Sequence, residues 1–115
     1  MVIVMISNCG HDENRRYRNG TAGDQTGGEY CIRTWYNRPW NCVLRYPDEK
    51  VGSVIGSIAS YAANNALIGY DQNQRTTFYQ QLSSSGWHPE NIRVACEADC
   101  SASTAAVVIA AGHRL

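Results

Sequence analysis

The chain has 115 residues and a formal net charge of zero, with ten basic and ten acidic side chains. This length suits one domain with a modest hydrophobic core and is short for a two-lobed enzyme. Balanced charge provides no long-range field to attract nucleic acid or an anionic membrane, so we expect neither as a partner.

The opening residues 1–6 are apolar, and they predict a first strand or a segment packed under the core. They are too short, and lack the basic flank, for a signal peptide, and no apolar run approaches the length of a membrane span. We therefore expect synthesis in the cytoplasm. Any work outside the cytoplasm then requires that something else release the protein.

The five cysteines cannot all pair within one chain, and without an export signal we expect reduced thiols. Cys9 and His11, together with Cys96 and Cys100, are residue types that bind zinc. Neither spacing is the usual Cys-x-x-Cys, so the sequence predicts no metal centre. We expect no cofactor.

Residues 7–28 are rich in glycine and in turn-forming side chains, which predicts a long loop. A loop of this length in a small domain is either functional or disordered. Its His, Asp, Gln and Gly content favours a binding or catalytic loop. The basic cluster Arg15, Arg16 and Arg18 stands beside Asp12 and Glu13, and we interpret it as solvated.

Two β-like runs, residues 29–36 and 41–46, are rich in Tyr, Trp, Ile and Val and are joined through Asn37-Arg38-Pro39-Trp40. They predict a hairpin. Trp35, Tyr36, Trp40 and Tyr46 are candidates for lining a groove. The alternative is that these rings belong to the core.

Two helices are predicted next. Asp48 is a plausible N-cap for the first, whose apolar residues recur at helical spacing until Ile68-Gly69-Tyr70 ends it. Asp71 and Gln74 have the spacing of a capping box for the second helix, which closes at residues 83–86.

The segment from Cys96 onward has the strongest chemical signal. Asp99 is a good N-cap for a third helix over residues 101–111, with Gly112 as its expected stop. Cys100 then lies in the first turn, where the positive end of the helix dipole stabilises a thiolate. Its thiol is a candidate nucleophile, and the alternative is a buried structural cysteine at the start of a core helix.

At Asp99-Cys100-Ser101 the chain resembles the nucleophile motif of the NlpC-type, papain-like cell-wall peptidases. There an Asp-Cys-Ser start places the cysteine at the N-terminus of a helix packed on a small sheet. The rest is similar to the front part of a group of phage and prophage endolysins in that superfamily, through five segments in the same order, residues 7–13, 22–27, 35–40, 68–72 and 96–101.

This resemblance covers almost the full chain and implies a single endolysin-like domain, residues 1–115, corresponding to the front part of such an enzyme. The implied fold is α+β, a partial papain-like fold with a glycine-rich loop, a short hairpin and three helices. The implied activity is hydrolysis of an amide bond in the peptidoglycan stem peptide. The expected substrate-binding residues are Asp24, Gln25, Trp35, Trp40, Tyr70, Asp71, Asp99 and Ser101.

One departure concerns the general base. In this superfamily the catalytic histidine follows the nucleophile on a strand, whereas fifteen residues follow Cys100 here. The histidine among them, His113, is expected just past the helix, roughly 16 Å from the thiol, and cannot be the base while that helix is intact. His11 could instead fold over Cys100, with Asp12 or Asp24 orienting its ring.

Alternatively, a second copy or a separate chain supplies the missing strands. An exposed Ala- and Val-rich face on the Cys100 helix would favour a homodimer.

The sequence therefore leaves two functions open, beside a third interpretation in which the chain is a structural fragment without independent activity. One is a cysteine peptidase or amidase of bacterial peptidoglycan. The other is a catalytically incomplete module, derived from a lysin, that binds cell wall or inhibits a protein partner. Replacement of Cys100 by alanine distinguishes them, because only the first activity requires the thiol.

Overall fold

The computed structural model describes residues 4–37 and 39–115. Within those ranges the chain forms three α-helices and four short strands, which in chain order are β1 (Met5–Cys9), β2 (Tyr30–Thr34), α1 (Glu49–Ala63), β3 (Ile68–Tyr70), α2 (Thr77–Ser84), β4 (Cys96–Ala98) and α3 (Cys100–Arg114). One turn of 3₁₀ helix, Pro89–Asn91, precedes β4. The predicted α+β class with three helices is confirmed.

The strands form two separate pairs. β1 and β2 are antiparallel, with Cys9 opposite Tyr30, and β3 and β4 are parallel, with Ile68 opposite Cys96. The predicted first strand is confirmed from Met5 onward, while residues 1–3 lie outside the described residues.

The predicted hairpin is wrong in its second strand. β2 pairs with β1, and residues 41–46 form no strand. This run has no core face to bury, since Leu44 is 88% exposed. Residues of this composition form a strand when their side chains can pack on a half-buried surface. Residues 41–46 have no such surface, so they form no strand. Arg38, within the predicted connection, lies outside the described residues.

Two helix boundaries also differ from prediction. α1 ends at Ala63, and Ile68–Tyr70 is a buried strand, because a short apolar run pairs as readily with a neighbouring strand as it extends a helix. The capping box does not form. Asp71 Oδ1 instead accepts the N–H of Asn73 at 2.8 Å, which closes a turn before α2 begins at Thr77.

The core lies between the three helices and the strand pairs. α3 contributes its small residues to it, Ala106, Val107, Ala110 and Ala111. The Ala- and Val-rich face that we expected to be exposed is thus covered by the chain's own elements. Gly112 does not stop α3, which continues to Arg114. The homodimer stays a prediction, without the support of an exposed helix face.

Cys9 joins the two strand pairs. Its buried thiol lies 3.4 Å from the Gly69 carbonyl oxygen of β3 and 3.8 Å from that of Ala98 at the end of β4. Burial raises the pKa of this thiol well above its ordinary value. Cys9 is therefore a structural thiol that holds the end of β1 beside the parallel pair.

The long loop, residues 10–29, is ordered by buried carboxylates. Asp12 Oδ1 accepts the N–H groups of Asn14 at 2.8 Å and Arg16 at 2.7 Å, and Glu29 accepts those of Thr26 and Gly27. Burial opposes the charge on Asp12, but these hydrogen bonds and the Arg16 guanidinium outweigh it and lower the pKa of Asp12. These hydrogen bonds give the loop a defined backbone conformation.

Gln25 attaches this loop to the parallel pair. Its Nε2 donates to the carbonyl oxygen of Leu67 at 2.7 Å and to Glu97 Oε2 at 3.1 Å, and the N–H of Gly23 donates to Glu97 Oε1 at 3.2 Å. A Cβ on Gly69 would lie 2.5 Å from Gln25 Cγ. Glycine in β3 is thus what lets the loop approach this closely.

Candidate functional site

The site is built around the point where β4 ends and α3 begins. Asp99, in extended conformation with φ −131°, is the N-cap, and its Oδ1 accepts the N–H of Ala102 at 2.8 Å. The Ser101 hydroxyl donates to the same oxygen at 3.2 Å. This predicted cap is confirmed, and it fixes Cys100 as the first helical residue.

Asp99 is held from its other side by Arg75, whose guanidinium lies 3.3 Å from Oδ2. Burial opposes the charge on Asp99, but the Ala102 N–H, Arg75 and Ser101 outweigh it and lower the pKa of this carboxyl. Both carboxylate oxygens thus have partners within the chain. The expected substrate-binding roles of Asp99 and Ser101 remain predictions, since the contacts of Asp99 are with Ser101, with the first turn of α3 and with Arg75.

The Cys100 thiol is exposed, which excludes the alternative of a buried structural cysteine. The Asp99 side chain and carbonyl accept the N–H groups of Ala102 and Ser103. The N–H groups of Cys100 and Ser101 precede these, in the first turn, where no intrahelical acceptor exists. An exposed thiol beside helix-start amides is an arrangement suited to nucleophilic attack on a carbonyl.

Cys100 lies on the wall of a groove of about 270 Å³ between β1, α1 and α3. The lining is mostly apolar or hydroxylic, and includes Asn8, Cys9, Tyr30, Ile55, Ser103 and Val107. The groove therefore offers an apolar surface leading to the thiol.

Tyr70 is buried at the end of β3. Its hydroxyl donates to the Tyr17 carbonyl oxygen at 3.2 Å and accepts from Gln72 Nε2 at 3.1 Å. Burial raises the pKa of Tyr70, and the negative charges of Asp99 and of a Cys100 thiolate act in the same direction. The role of Tyr70 as a substrate contact stays a prediction.

His11 has a defined tautomer. Its Nδ1 lies 2.7 Å from the carbonyl oxygen of Asp12, and a carbonyl only accepts, so Nδ1 is the donor and the lone pair of the neutral ring is on Nε2. The atom that orients the His11 ring is the main-chain carbonyl oxygen of Asp12, whereas we predicted the carboxylate of Asp12 or Asp24. The Asp12 carboxylate is committed to Asn14 and Arg16.

His11 and Cys100 line different concavities. His11 lines a hollow of about 830 Å³ beside the β1–β2 pair, and Asn8 lines both this hollow and the groove that holds Cys100. Within the described residues no hydrogen bond joins His11 to Cys100. The structure thus makes the two sites neighbours through Asn8, and the catalytic pairing remains a prediction.

The other expected substrate residues fall into two groups. Gln25 and Asp71 make contacts that organise the loop and the turn before α2, and Asp24 lies near the carboxylates of Glu13 and Glu97. Trp35 and Trp40 form an exposed pair beyond β2, with ring centroids 5.5 Å apart. Their exposed fractions, 42% and 44%, exclude the core alternative for these two rings.

His113 lies within α3, whereas we expected it past the end of the helix. Its ring stacks on Trp87 with centroids 4.1 Å apart and planes 10° from parallel. Residues 100 and 113 of one helix are separated by about 20 Å along its axis. This separation agrees with our expectation that His113 is not the general base for Cys100.

Sequence reasoning missed Asn8 and Cys31. The Cys31 thiol lies 3.3 Å from Asn8 Oδ1, and both residues line the hollow of His11. Only the pairing of β1 with β2 brings them together, because they stand directly opposite in the register. A strand partner 23 positions away leaves no local signal.

Comparison with known protein families matches residues 6–115 to the family described as ELLD, endolysin-like domain. Neither the curated proteins nor the solved structures provide a match. Among the described residues, no helix is long and apolar enough to cross a membrane.

Proposed function

Because the chain belongs to the endolysin-like domain family, we propose that it hydrolyses an amide bond of the bacterial cell-wall stem peptide, with Cys100 as the nucleophile. Membership relates the chain to lysins, and cleavage by a cysteine is the finer step proposed here. It would act on peptidoglycan after synthesis in the cytoplasm and release at lysis.

The observation that carries this proposal is the exposed Cys100 thiol at the first residue of α3. The thiolate sulfur would attack the amide carbonyl carbon, and the first-turn N–H groups of Cys100 and Ser101 would stabilise the resulting oxyanion. The amine leaves with a proton, and water then hydrolyses the thioester to release a carboxylate and restore the thiol.

His11 is the proposed general base. Its Nδ1–H bond to the Asp12 carbonyl leaves Nε2 able to take the thiol proton and to return it to the leaving amine. Since His11 lies in the adjacent hollow, catalysis requires the loop to bring Nε2 to the groove when substrate binds. A second copy or a complementing chain that supplies a histidine is the alternative, and it predicts activity only in the associated state.

An NlpC-type relationship is part of the proposal. It is supported by the order of elements, in which Asp99 caps a helix that begins with Cys100 and packs against β4 and β1. The Asp99–Arg75 pair and the Ser101 hydroxyl hold this start in place.

The test is hydrolysis of purified peptidoglycan, measured as the release of new amino groups. Cys100→Ala is expected to abolish release, and His11→Ala to reduce it by at least about a hundredfold, as for loss of a general base. Cys42→Ala, which removes another exposed thiol, serves as the matched control and should retain full activity. Full activity in Cys100→Ala would refute the nucleophile. Full activity in His11→Ala would instead direct attention to a histidine from an associated chain.

A second candidate function, a cell-wall-binding module without catalysis, is favoured by the exposed pair Trp35 and Trp40. Tyr36 extends this pair, with its ring centroid 5.6 Å from that of Trp40. Exposed aromatic rings can stack on the apolar faces of sugars or peptides. This candidate predicts that the Cys100→Ala variant sediments with peptidoglycan as wild type does. The double variant with Trp35→Ala and Trp40→Ala should not.

A further inference from the structure

The hollow that contains His11 is distinct in charge from the groove of Cys100. Two arginines and the histidine line it, Arg15, Arg33 and His11, and none of its described lining residues is acidic. Its remaining walls are amides, glycines and apolar or aromatic side chains, Asn8, Asn37, Gly10, Gly28, Ile32, Tyr17 and Tyr36, with the Cys31 thiol among them. In a chain of zero net charge this is a local concentration of positive charge.

Arg15 is held at the hollow by a strained backbone. Its φ is +62°, a region where glycine is favoured over other residues. Asp12 enforces this conformation, because its carbonyl oxygen accepts the N–H of Arg15 at 3.0 Å and its own N–H donates to the Arg16 carbonyl at 2.8 Å. Backbone strain of this kind is often retained where the side chain has a function.

Arg33 approaches the hollow from β2. Its guanidinium carbon lies 4.6 Å from the centroid of the Tyr36 ring, a cation–π contact that leaves the N–H edges of the group available. Within the described residues, neither Arg15 nor Arg33 makes a salt bridge. Two guanidiniums without an acidic partner on one concave surface are suited to an anion.

We propose that this hollow binds a free carboxylate of an acidic peptide, with Arg15 and Arg33 as the two cationic contacts. A planar guanidinium pairs with a carboxylate through two parallel N–H bonds, and the surrounding amide side chains suit a peptide main chain. The choice of a peptide as the molecule that carries this carboxylate rests on the proposed function, because a stem-peptide substrate has free carboxylates. Asn8, shared by both concavities, places this carboxylate subsite next to the Cys100 groove.

The experiment measures binding in the full chain carrying Cys100→Ala, which prevents turnover. The probe is N-acetyl-alanyl-glutamate, and its neutral counterpart is N-acetyl-alanyl-glutamine amide. Binding is followed by calorimetry and by the rate at which iodoacetamide modifies Cys31, since that thiol lines the hollow. We expect the acidic probe to bind at least about tenfold more tightly than the neutral one and to slow Cys31 modification.

Arg15→Gln and Arg33→Gln are each expected to weaken binding of the acidic probe by about tenfold. Arg45→Gln, at an exposed arginine outside the hollow, is the matched control and should bind as its parent does. Arg15→Gly separates binding from folding. It should leave the melting temperature equal or higher, because the strained φ suits glycine, and yet weaken the probe.

Equal binding of the acidic and neutral probes would overturn the proposal, as would equal effects of Arg15→Gln and Arg45→Gln. Inorganic phosphate that binds as tightly as the acidic peptide would overturn the assignment to a peptide carboxylate. Loss of hydrolysis with intact probe binding would count against the catalytic proposal alone. Intact hydrolysis without probe binding would count against this subsite alone.

Discussion

At the scale of the residue, the cysteines show how environment alone distinguishes identical side chains. Burial raises the pKa of Cys96 to about 12, and Cys9 shifts in the same direction. Cys42 and Cys100 are both exposed. Cys100 differs from Cys42 because it is the first residue of α3, where the N–H groups of the first turn have no intrahelical acceptor.

The first prediction compares these two exposed thiols in one molecule. At one neutral pH, Cys100 should be alkylated several-fold faster than Cys42, because the first-turn N–H groups of α3 lie beside the reacting sulfur. The measurement is the modified fraction of each cysteine by peptide mass spectrometry. Equal alkylation rates at Cys100 and Cys42 would remove the physical basis for Cys100 as a nucleophile.

The second prediction concerns Gly69. A methyl group there would meet Gln25 Cγ at 2.5 Å, so Gly69→Ala should lower the free energy of unfolding by about 1–3 kcal/mol, the usual cost of overpacking. Denaturant unfolding measures this change. Gly52→Ala, in α1 with no neighbouring atom within 4 Å, is the control and should be neutral or stabilising.

The same site provides a double-mutant check. Gln25→Ala removes the atoms that the new methyl group would meet. In that background, Gly69→Ala should cost clearly less than it does alone. An unchanged cost would mean that Gly69 is required for another reason, and that the loop does not depend on this close approach.

At the scale of the element, two helices begin with the same device in different surroundings. Asp48 accepts the N–H of Lys50 at 2.8 Å and caps α1 at an exposed position. Asp99 caps α3 while also bonding Ser101 and Arg75. Capping is local in sequence, which is why both could be predicted.

The third prediction uses this pair. Asp48→Ala and Asp99→Ala should each destabilise the protein by about 1 kcal/mol through loss of a cap, with the larger effect at Asp99 because Arg75 also loses its partner. Only Asp99→Ala should slow alkylation of Cys100 and reduce hydrolysis, since the start of α3 positions that thiol. If Asp48→Ala changed Cys100 reactivity as much, the effect would report global stability.

At the scale of the whole molecule, Glu97 connects the loop to the parallel strands. Burial raises the pKa of Glu97 to about 7, with the negative charges of Asp71, Asp24 and Glu29 acting in the same direction and the Gly23 N–H opposing them. The folded protein therefore holds this proton more tightly than the unfolded chain does. Stability from this group is fully present below about pH 4.5 and declines as the pH rises through about 7.

The fourth prediction follows from that linkage. Wild type should lose melting temperature relative to Glu97→Gln as the pH rises from about 4.5 to 7, because the variant has no group to titrate there. Thermal unfolding of both proteins across this range measures the difference. Parallel curves would contradict a raised pKa at Glu97.

The sequence by itself determined the features that depend on neighbouring residues. It located the aspartate caps at Asp48 and Asp99, the start of α3 at Cys100, the α+β class and the first strand, whereas the exposure of Cys100 was left open and the capping box at Asp71 was wrong. The alternation and spacing that predict these features act within one or two turns of chain. It also located the loop that carries His11, although not the atom that orients the ring.

Only the tertiary structure decided how distant segments pair. β2 pairs with β1 and not with residues 41–46. Ile68–Tyr70 becomes a strand because β4 lies beside it. Cys9 contacts carbonyls 60 and 89 positions away, and Gln25 contacts Leu67 across 42 positions. Such contacts depend on burial and on partners far along the chain. The cationic hollow, with Arg15 and Arg33 brought together beside Asn8, could therefore not be predicted from local sequence patterns.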